Sequence, residues 1–327
     1  MNSCILDIRD LEISFFTQAG EIKAVNNISL QLKDGEVLGI VGESGSGKSV
    51  ASYSIMGLIA EPGKIVNGNI RFNNHTIETM GKKELQKIRG KEVSIVFQDP
   101  NTSLNPLLSI GSQLIEVIIR HTNKTKKEAK ERAVELLGLV GMNEVDKRLK
   151  QYPYEFSGGM LQRVMIAIAL ACEPKLLIAD EATTALDATI QAQILELLLQ
   201  IKKKNSMSII MITHDFSVIA NICEKVAVMY AGRIIEYGKT EDILYNPKHQ
   251  YTMGLLKATP NINSHIHEKL VPIKGSPVDL LNPPLGCPFA PRCEKCMKIC
   301  LRSMPKNKVI SDDHYTACWL LEKKLWS

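Results

Sequence analysis

The stretch Gly42-Glu43-Ser44-Gly45-Ser46-Gly47-Lys48-Ser49 has the pattern G-x-x-x-x-G-K-S. Glycines at those spacings let a backbone turn tightly around a triphosphate with its N–H groups pointing inward. Gly42, Ser44, Gly45, Ser46 and Gly47 are therefore candidate phosphate ligands. Lys48 would reach the β- and γ-phosphates, and the Ser49 hydroxyl would sit on Mg²⁺. Such a loop needs a strand before it and a helix after it. The apolar run Val37-Leu38-Gly39-Ile40-Val41 predicts the strand, and the amphipathic segment from Ser49 to Leu58 predicts the helix. A helix N-terminus placed there adds its own attraction for anions.

Two further stretches carry chemistry. Leu176-Leu177-Ile178-Ala179-Asp180-Glu181 is an apolar run ending in two acids. Behind a phosphate loop, Asp180 suits Mg²⁺, usually through water, and Glu181 suits polarising an attacking water. Phe156-Ser157-Gly158-Gly159-Met160-Leu161-Gln162 opens a long helical pattern. Ser157 is a good N-cap, and Gly158 and Gly159 bare backbone N–H groups at the positive end of that helix. The chain thus carries two anion sites, which need not face the same nucleotide.

The elements that position these stretches alternate in type. Ile5 to Ser14 alternates apolar and polar residues and predicts a half-exposed strand. Gln18-Ala19-Gly20-Glu21 is a turn, and Val25 to Leu32 a second strand. Asn69 to Asn73 and Val93 to Phe97 read as further strands, the latter running into Gln98-Asp99-Pro100. A helical stretch covers Ile110 to Met142 with a break expected at Gly138. Helices and strands alternate again from Ser157 to Tyr230, which gives an α/β fold with a helical insertion between Gln98 and Phe156. The segment from Pro272 to Pro291 is too rich in Pro and Gly for a helix, and a domain boundary is expected near Ala258.

With 327 residues, 45% hydrophobic and 23% charged, the chain has an ordinary globular composition with room for one large domain and a smaller one. A net charge of +5 is small for that length and gives no argument for nucleic acid. The Lys-rich run from Lys124 to Lys130 reads as a solvated helix face. The N-terminus carries acids and no apolar core, so no secretory signal is expected. The longest apolar stretch, Val164 to Cys172, is about half of what a membrane span needs, so any membrane role is expected to run through a partner.

Of eight cysteines, Cys287, Cys293, Cys296, Cys300 and Cys318 crowd toward the end of the chain. In a reducing cytosol such crowding suggests metal rather than disulfides. Four thiolates hold either zinc or an iron–sulfur cluster, and spacing alone does not choose, although Cys293-x-x-Cys296 is a zinc-like pair.

Across residues 1–257 the chain resembles the nucleotide-binding subunits of ABC transporters. The phosphate loop matches Walker A, Gln98 the Q-loop, Ser157 to Gln162 the signature motif and Leu176 to Glu181 Walker B. Ala185-Leu186-Asp187 matches the D-loop, and His214 in Ile212-Thr213-His214-Asp215 the switch histidine. The resemblance implies a RecA-like ABC nucleotide-binding domain with a helical subdomain at about 99–160 and an antiparallel β subdomain. It implies a head-to-tail pair, with ATP between Walker A of one chain and the signature helix of the other. Glu181, His214 and Gln98 take catalytic roles in that reading: base, γ-phosphate contact, and link between Mg²⁺ and the transmembrane partner. Ser49, Gln98 and Asp180 form the Mg²⁺ set, and Phe16, with Phe15 as alternate, would stack on adenine. Met160 stands where the signature commonly has Gln, and Ala182 where Walker B is commonly followed by Pro; neither removes a phosphate or Mg²⁺ group.

Asn246-Pro247-Lys248-His249-Gln250-Tyr251-Thr252 and Gly286-Cys287-Pro288-Phe289-Ala290-Pro291-Arg292-Cys293 narrow the likeness to the oligopeptide/dipeptide permease ATPases, nearer the "D" than the "F" subunit. A small Cys-rich C-terminal domain at 258–327 is then expected. Cys287, Cys293, Cys300 and Cys318 match family cysteines that bind a four-iron (4Fe-4S) cluster in some members, with Zn²⁺ as the alternative; Cys296 has no counterpart. The implied partners are a sister ABC ATPase subunit in a heterodimer, two transmembrane permease subunits and an extracytoplasmic substrate-binding protein, at the cytoplasmic face of the cell membrane. A nickel-importing branch is closely similar. Competing expectations are a soluble ABC ATPase acting on ribosomes or DNA, for which no strongly basic face or coiled coil is visible, and a metal or redox sensor switched by ATP.

Overall fold

The computed structural model describes residues 4–182, 187–259 and 271–325. Ala185 and Leu186 of the expected D-loop lie outside the described residues. The strands described are β1 (Cys4–Thr17), β2 (Gly20–Lys33), β3 (Val37–Val41), β4 (Gly63–Phe72), β5 (His75–Thr76), β6 (Val93–Val96), β7 (Leu176–Asp180), β8 (Ser208–Thr213), β9 (Lys225–Tyr230), β10 (Arg233–Lys239), β11 (Lys308–Ser311) and β12 (His314–Thr316). They fall into two compact units.

One unit, mainly residues 79–212, holds β6, β7 and β8 as parallel neighbours with β7 in the middle. Every residue of β7 and β8 is buried, the signature of a parallel sheet covered on both faces. Its helices are led by Ile110–His121, Lys126–Leu139, Gly158–Ala169 and Ala188–Asn205. The second of these helices ends at Leu139, one residue past the break expected at Gly138, and a further break not expected from the sequence falls at Thr122–Thr125. Thr125 caps the second helix through the N–H of Glu128, while the Glu128 carboxylate takes the Thr125 N–H at 2.7 Å. This reciprocal capping box starts the second helix, while the first ends at His121 with the Thr122 N–H donating to the Ile118 carbonyl.

The other unit contains 4–32, 37–78 and the residues from 213 onward. Here β2, β1, β4 and β5 form one sheet, with β1 antiparallel to β4 from Leu6 opposite Phe72 to Phe15 opposite Gly63. The expected alternation in β1 fails in part. Residues 5–8 are all buried, and the register slips between Arg9 and Glu12, where Asp10 has φ 47°. A second sheet runs β11–β12–β10–β9–β3, with β3 and β9 parallel and β9, β10, β12 and β11 antiparallel in turn.

The C-terminal residues do not stand apart from this unit. Glu236 of β10 pairs with Thr316 of β12, and the Ala317 N–H donates to the Ile235 carbonyl at 2.8 Å. Phe289 packs edge-on against Tyr230 and Tyr251, ring centroids 5.5 and 5.3 Å apart. The expectation that residues 272–291 avoid helix holds until a short 3₁₀ turn at Ala290–Arg292.

Beneath Phe289 lies His249, 2% exposed. It caps the helix Gln250–Ala258: its Nδ1 accepts the Tyr251 N–H at 3.1 Å. Burial pulls its pKa down to about 4, partly offset by a hydrogen bond to the Ala317 backbone. The unfolded chain takes up this proton below about pH 6.5 and the folded chain only near 4, so the neutral ring favours folding above that window. Stability should therefore drop by about 3 kcal/mol as pH falls from 6.5 to 4 through this residue alone. Urea midpoints across that range should slope for the natural chain and flatten for His249→Asn, which keeps a cap acceptor but cannot titrate.

Candidate functional site

In the unit built on β3, the strand ends at Val41 and the chain enters the loop Gly42–Gly47 before the helix Lys48–Ile55. Gly45 and Gly47 have φ of 75° and 97°, a region side chains rarely enter. A Cβ on Gly47 would stand 2.3 Å from the Ala24 carbonyl oxygen, and one on Gly42 2.2 Å from that of Met229. At Gly45 nothing lies within 4 Å. Lys48 is buried, with its Nζ donating to the carbonyls of Gly42 and Glu43 at 2.8 and 2.9 Å. The lysine is thus folded onto the loop's own carbonyl groups. Ser46 is buried, and Ser49 half-buried in the first turn of the helix.

Phe16 is 47% exposed. Phe15 is partly covered and lies against Gly63, so Phe16 is the more exposed of the two. His214 is exposed just past the end of β8, and Asp215 caps the helix that follows by accepting the Ser217 N–H at 2.7 Å.

In the other unit, Asp180 ends β7 at 1% exposure. Glu181 leaves the sheet with φ 48°, its N–H donating to the Ile212 carbonyl at 3.0 Å. The Glu181 Oε2 accepts the Gln98 amide at 2.7 Å, which joins two residues 83 positions apart. A hard, buried carboxylate at a strand end suits Mg²⁺, whose preferred ligands are oxygens.

Ser157 caps the helix Gly158–Ala169 through the Met160 N–H. Ser157 and Gly158 are exposed, and a Cβ on Gly158 would meet nothing within 4 Å. Beside them lies a cleft of about 390 Å³ lined by Ser157, Gly159, Asp187, Arg148 and Arg163 among others. Arg163 is held by the carbonyls of Val140 and Gly141 and by Gln193. Asp187, the described part of the D-loop, caps the helix Ala188–Asn205.

A family model for the ABC transporter matches residues 25–184, and one for the oligopeptide/dipeptide transporter C-terminal region matches 235–300. The chain is 52% identical to the oligopeptide transport ATP-binding protein OppD of Bacillus subtilis, over 97% of this chain and 89% of that one. It is 49% identical to the dipeptide transport ATP-binding protein DppD of the same organism (98% and 96%) and 52% to OppD of Escherichia coli (96% and 93%).

The chain belongs to the ABC transporter ATPases of the oligopeptide/dipeptide family.

Among solved structures, it resembles the dimeric post-hydrolysis ATP-binding cassette MJ0796 bound to ADP and Pi, with a TM-score of 0.66 and 29% identity over 72% of this chain and 98% of that one. It also resembles cbiO1 from Clostridium perfringens, with a TM-score of 0.63 and 29% identity over 75% and 92%. The α/β fold read from the sequence is the ABC ATPase fold, and the chain is an ATPase of that family.

The expected iron–sulfur cluster, or its zinc alternative, is not supported by the geometry. A tight backbone contact, Cys287 N–H to Cys300 carbonyl at 2.7 Å, brings two of the thiols into one neighbourhood. Burial, then the neighbouring thiols, pushes Cys287 up to about 12, and burial also raises Cys293 and Cys318. Yet among the described residues no three His, Cys, Asp or Glu side chains converge closely enough to hold a metal ion. Cys287 and Cys300 are both buried.

Sequence reasoning missed the partners of Glu43. The Arg292 guanidinium grips the Glu43 carboxylate at 2.5 and 2.9 Å, and the Glu43 N–H donates to Tyr251 Oη at 2.7 Å. The only clue was the acid itself, an unbalanced negative charge in an anion-binding loop.

The glycines separate fold from chemistry. Gly47→Ala should lose both thermal stability and Mg-ATP binding, because a positive φ and a backbone clash coincide there. Gly45→Ala meets only the φ penalty, about 1–3 kcal/mol, and should stay folded. Melting curves and nucleotide titrations on the two variants check this.

Proposed function

We propose that this chain is the ATP-hydrolysing subunit that energises an importer of oligopeptides or dipeptides across the cytoplasmic membrane. The observation that carries the reading is likeness to OppD and DppD proteins over nearly the whole chain, C-terminal region included. In this proposal Gly42, Ser44, Gly45, Ser46 and Gly47 cradle the phosphates with backbone N–H groups. Lys48 exchanges its two loop carbonyls for the β- and γ-phosphates. Ser49 and Asp180 supply oxygens for Mg²⁺, and Gln98 joins them. Bound Mg²⁺ neutralises charge on the phosphates. Glu181 accepts the proton of the attacking water, with Gln98 already hydrogen-bonded to its carboxylate. His214 contacts the γ-phosphate, and Phe16 stacks on adenine.

Ser157, Gly158 and Gly159 serve the nucleotide of a second chain, which fits their exposure and the open cleft beside them. The working unit is then a heterodimer with a sister ATPase on two transmembrane subunits, fed by an extracytoplasmic binding protein. No helix among the described residues is long and apolar enough to cross a membrane. Attachment at the cytoplasmic face would therefore come through those partners. Residues 1–257 are assigned to nucleotide chemistry, with a helical subdomain at about 99–160, and 258–327 to a C-terminal accessory region.

The test uses the assembled transporter in liposomes with the sister site disabled. Glu181→Gln should bind Mg-ATP yet slow hydrolysis by about a hundredfold or more, and peptide uptake should stop with it. Lys48→Ala should instead weaken binding. Near wild-type turnover in Glu181→Gln would remove the base assignment, and ATP hydrolysis without peptide uptake in the natural complex would remove the cargo.

A further inference from the structure

Glu43 follows the first glycine of the phosphate loop. A carboxylate there repels the anion that the loop's N–H groups and Lys48 attract. Its side chain is 26% exposed, so water alone does not screen it.

Arg292, from the C-terminal region, meets it with a side chain only 4% exposed. A guanidinium has five N–H groups, and each finds an acceptor. Nη1 donates to Glu43 Oε2 at 2.5 Å and Tyr230 Oη at 3.3 Å. Nη2 donates to Glu43 Oε1 at 2.9 Å and the Ile273 carbonyl at 3.4 Å. Nε donates to the Lys274 carbonyl at 3.1 Å. The rings of Tyr230 and Phe289 lie 5.9 Å from the guanidinium carbon, within cation–π range. The hydrogen bond to Glu43 raises the arginine's pKa further, so its charge is permanent.

The grip reaches the phosphate-binding atoms. Tyr251 holds the Glu43 N–H, and the Glu43 carbonyl is one of the two on which Lys48 rests. Pro277 and Val278 share a crevice with Glu43, Ser44, Gly45 and Ser46, so the same C-terminal region also lines the loop's flank.

We propose that Arg292 is a positioning residue of the nucleotide site: it neutralises the Glu43 carboxylate and draws it off the phosphate path, so the C-terminal region sets how strongly the loop attracts phosphate. This rests on the reading of Gly42–Ser49 as the ATP site. A simple tail anchor would hold Arg292 in the same place, but two readouts separate the roles. Charge neutralisation acts in proportion to the charge on the nucleotide, and it is relieved by removing the acid.

The experiment titrates the full-length chain with ATP, ADP and adenosine in the presence of Mg²⁺. Arg292→Gln should weaken ATP on the order of tenfold, ADP less, and adenosine not at all. Adding Glu43→Gln to that variant should bring ATP affinity back to within about threefold of the natural chain. ATP affinity unchanged in Arg292→Gln, or a double variant as weak as the single, would overturn the proposal. Should Arg292→Gln fail to fold, Glu43→Gln alone decides. It leaves an unbalanced cation beside the loop and should tighten ATP more than ADP; unchanged or weaker ATP binding overturns the proposal. Lys48→Ala tells the two failures apart: ATP bound as well as by the natural chain overturns the ATP-site assignment and this proposal with it, whereas weakened ATP binding there with unchanged affinity in Arg292→Gln overturns this proposal alone.

Discussion

The carbonyl oxygens of Ala24 and Met229 stand where side chains on Gly47 and Gly42 would begin. The phosphate loop holds its shape because those two residues have none. The carbonyl groups belong to β2 and β9, so neighbouring strands press on the loop where its own glycines leave room. The turn after β9 closes the seam: the Gly232 N–H donates to the Ser46 carbonyl, and the Asn26 N–H to the Gly232 carbonyl. Lys48 completes the set by bonding two carbonyls of the loop it serves. A loop anchored at both ends before ligand arrives has less ordering left to undergo when phosphate binds.

The unit around β7 follows a different rule. A strand buried along its whole length ends in one acid, Asp180, and the next, Glu181, leaves the sheet in left-handed backbone, with φ 48°. Non-glycine residues in that region carry strain that the surroundings must hold in place. Here the Ile212 carbonyl takes the Glu181 N–H and Gln98 takes its carboxylate. The turn aims the side chain out of a sheet whose other residues face inward on both sides.

How much of this was legible follows from where each signal lies along the chain. The phosphate loop, the acid pair and the capped glycine helix were readable because each packs its chemistry into a few consecutive residues. β3 and β7 were readable because burial on both faces writes an unbroken apolar run. β4 came out longer than its sequence suggested, Gly63–Phe72 instead of 69–73, because Lys64, Val66 and Asn67 are exposed and its first half shows no alternation of buried and exposed residues. The helix end near Gly138 was readable, but the start at Thr125 was not, because a threonine followed three residues later by Glu128 is a quieter local signal than a glycine. The Glu43–Arg292 pair spans 249 positions, and no periodicity carries information that far. The thiols show the converse: nearness in sequence became nearness in space without convergence on a point.

The pairing of β12 with β10 has a consequence for handling the protein. Without residues beyond 258, β10 would present a bare ladder of N–H and C=O groups, with Ile234 and Ile235 in the same strand. Such an edge invites pairing with other chains. The C-terminal region replaces it with β11, only four residues long and opening on Lys308, which leaves a shorter edge for further growth. A shortened chain would therefore tend to stick to copies of itself, and its lost activity would report on self-association as much as on the missing contacts.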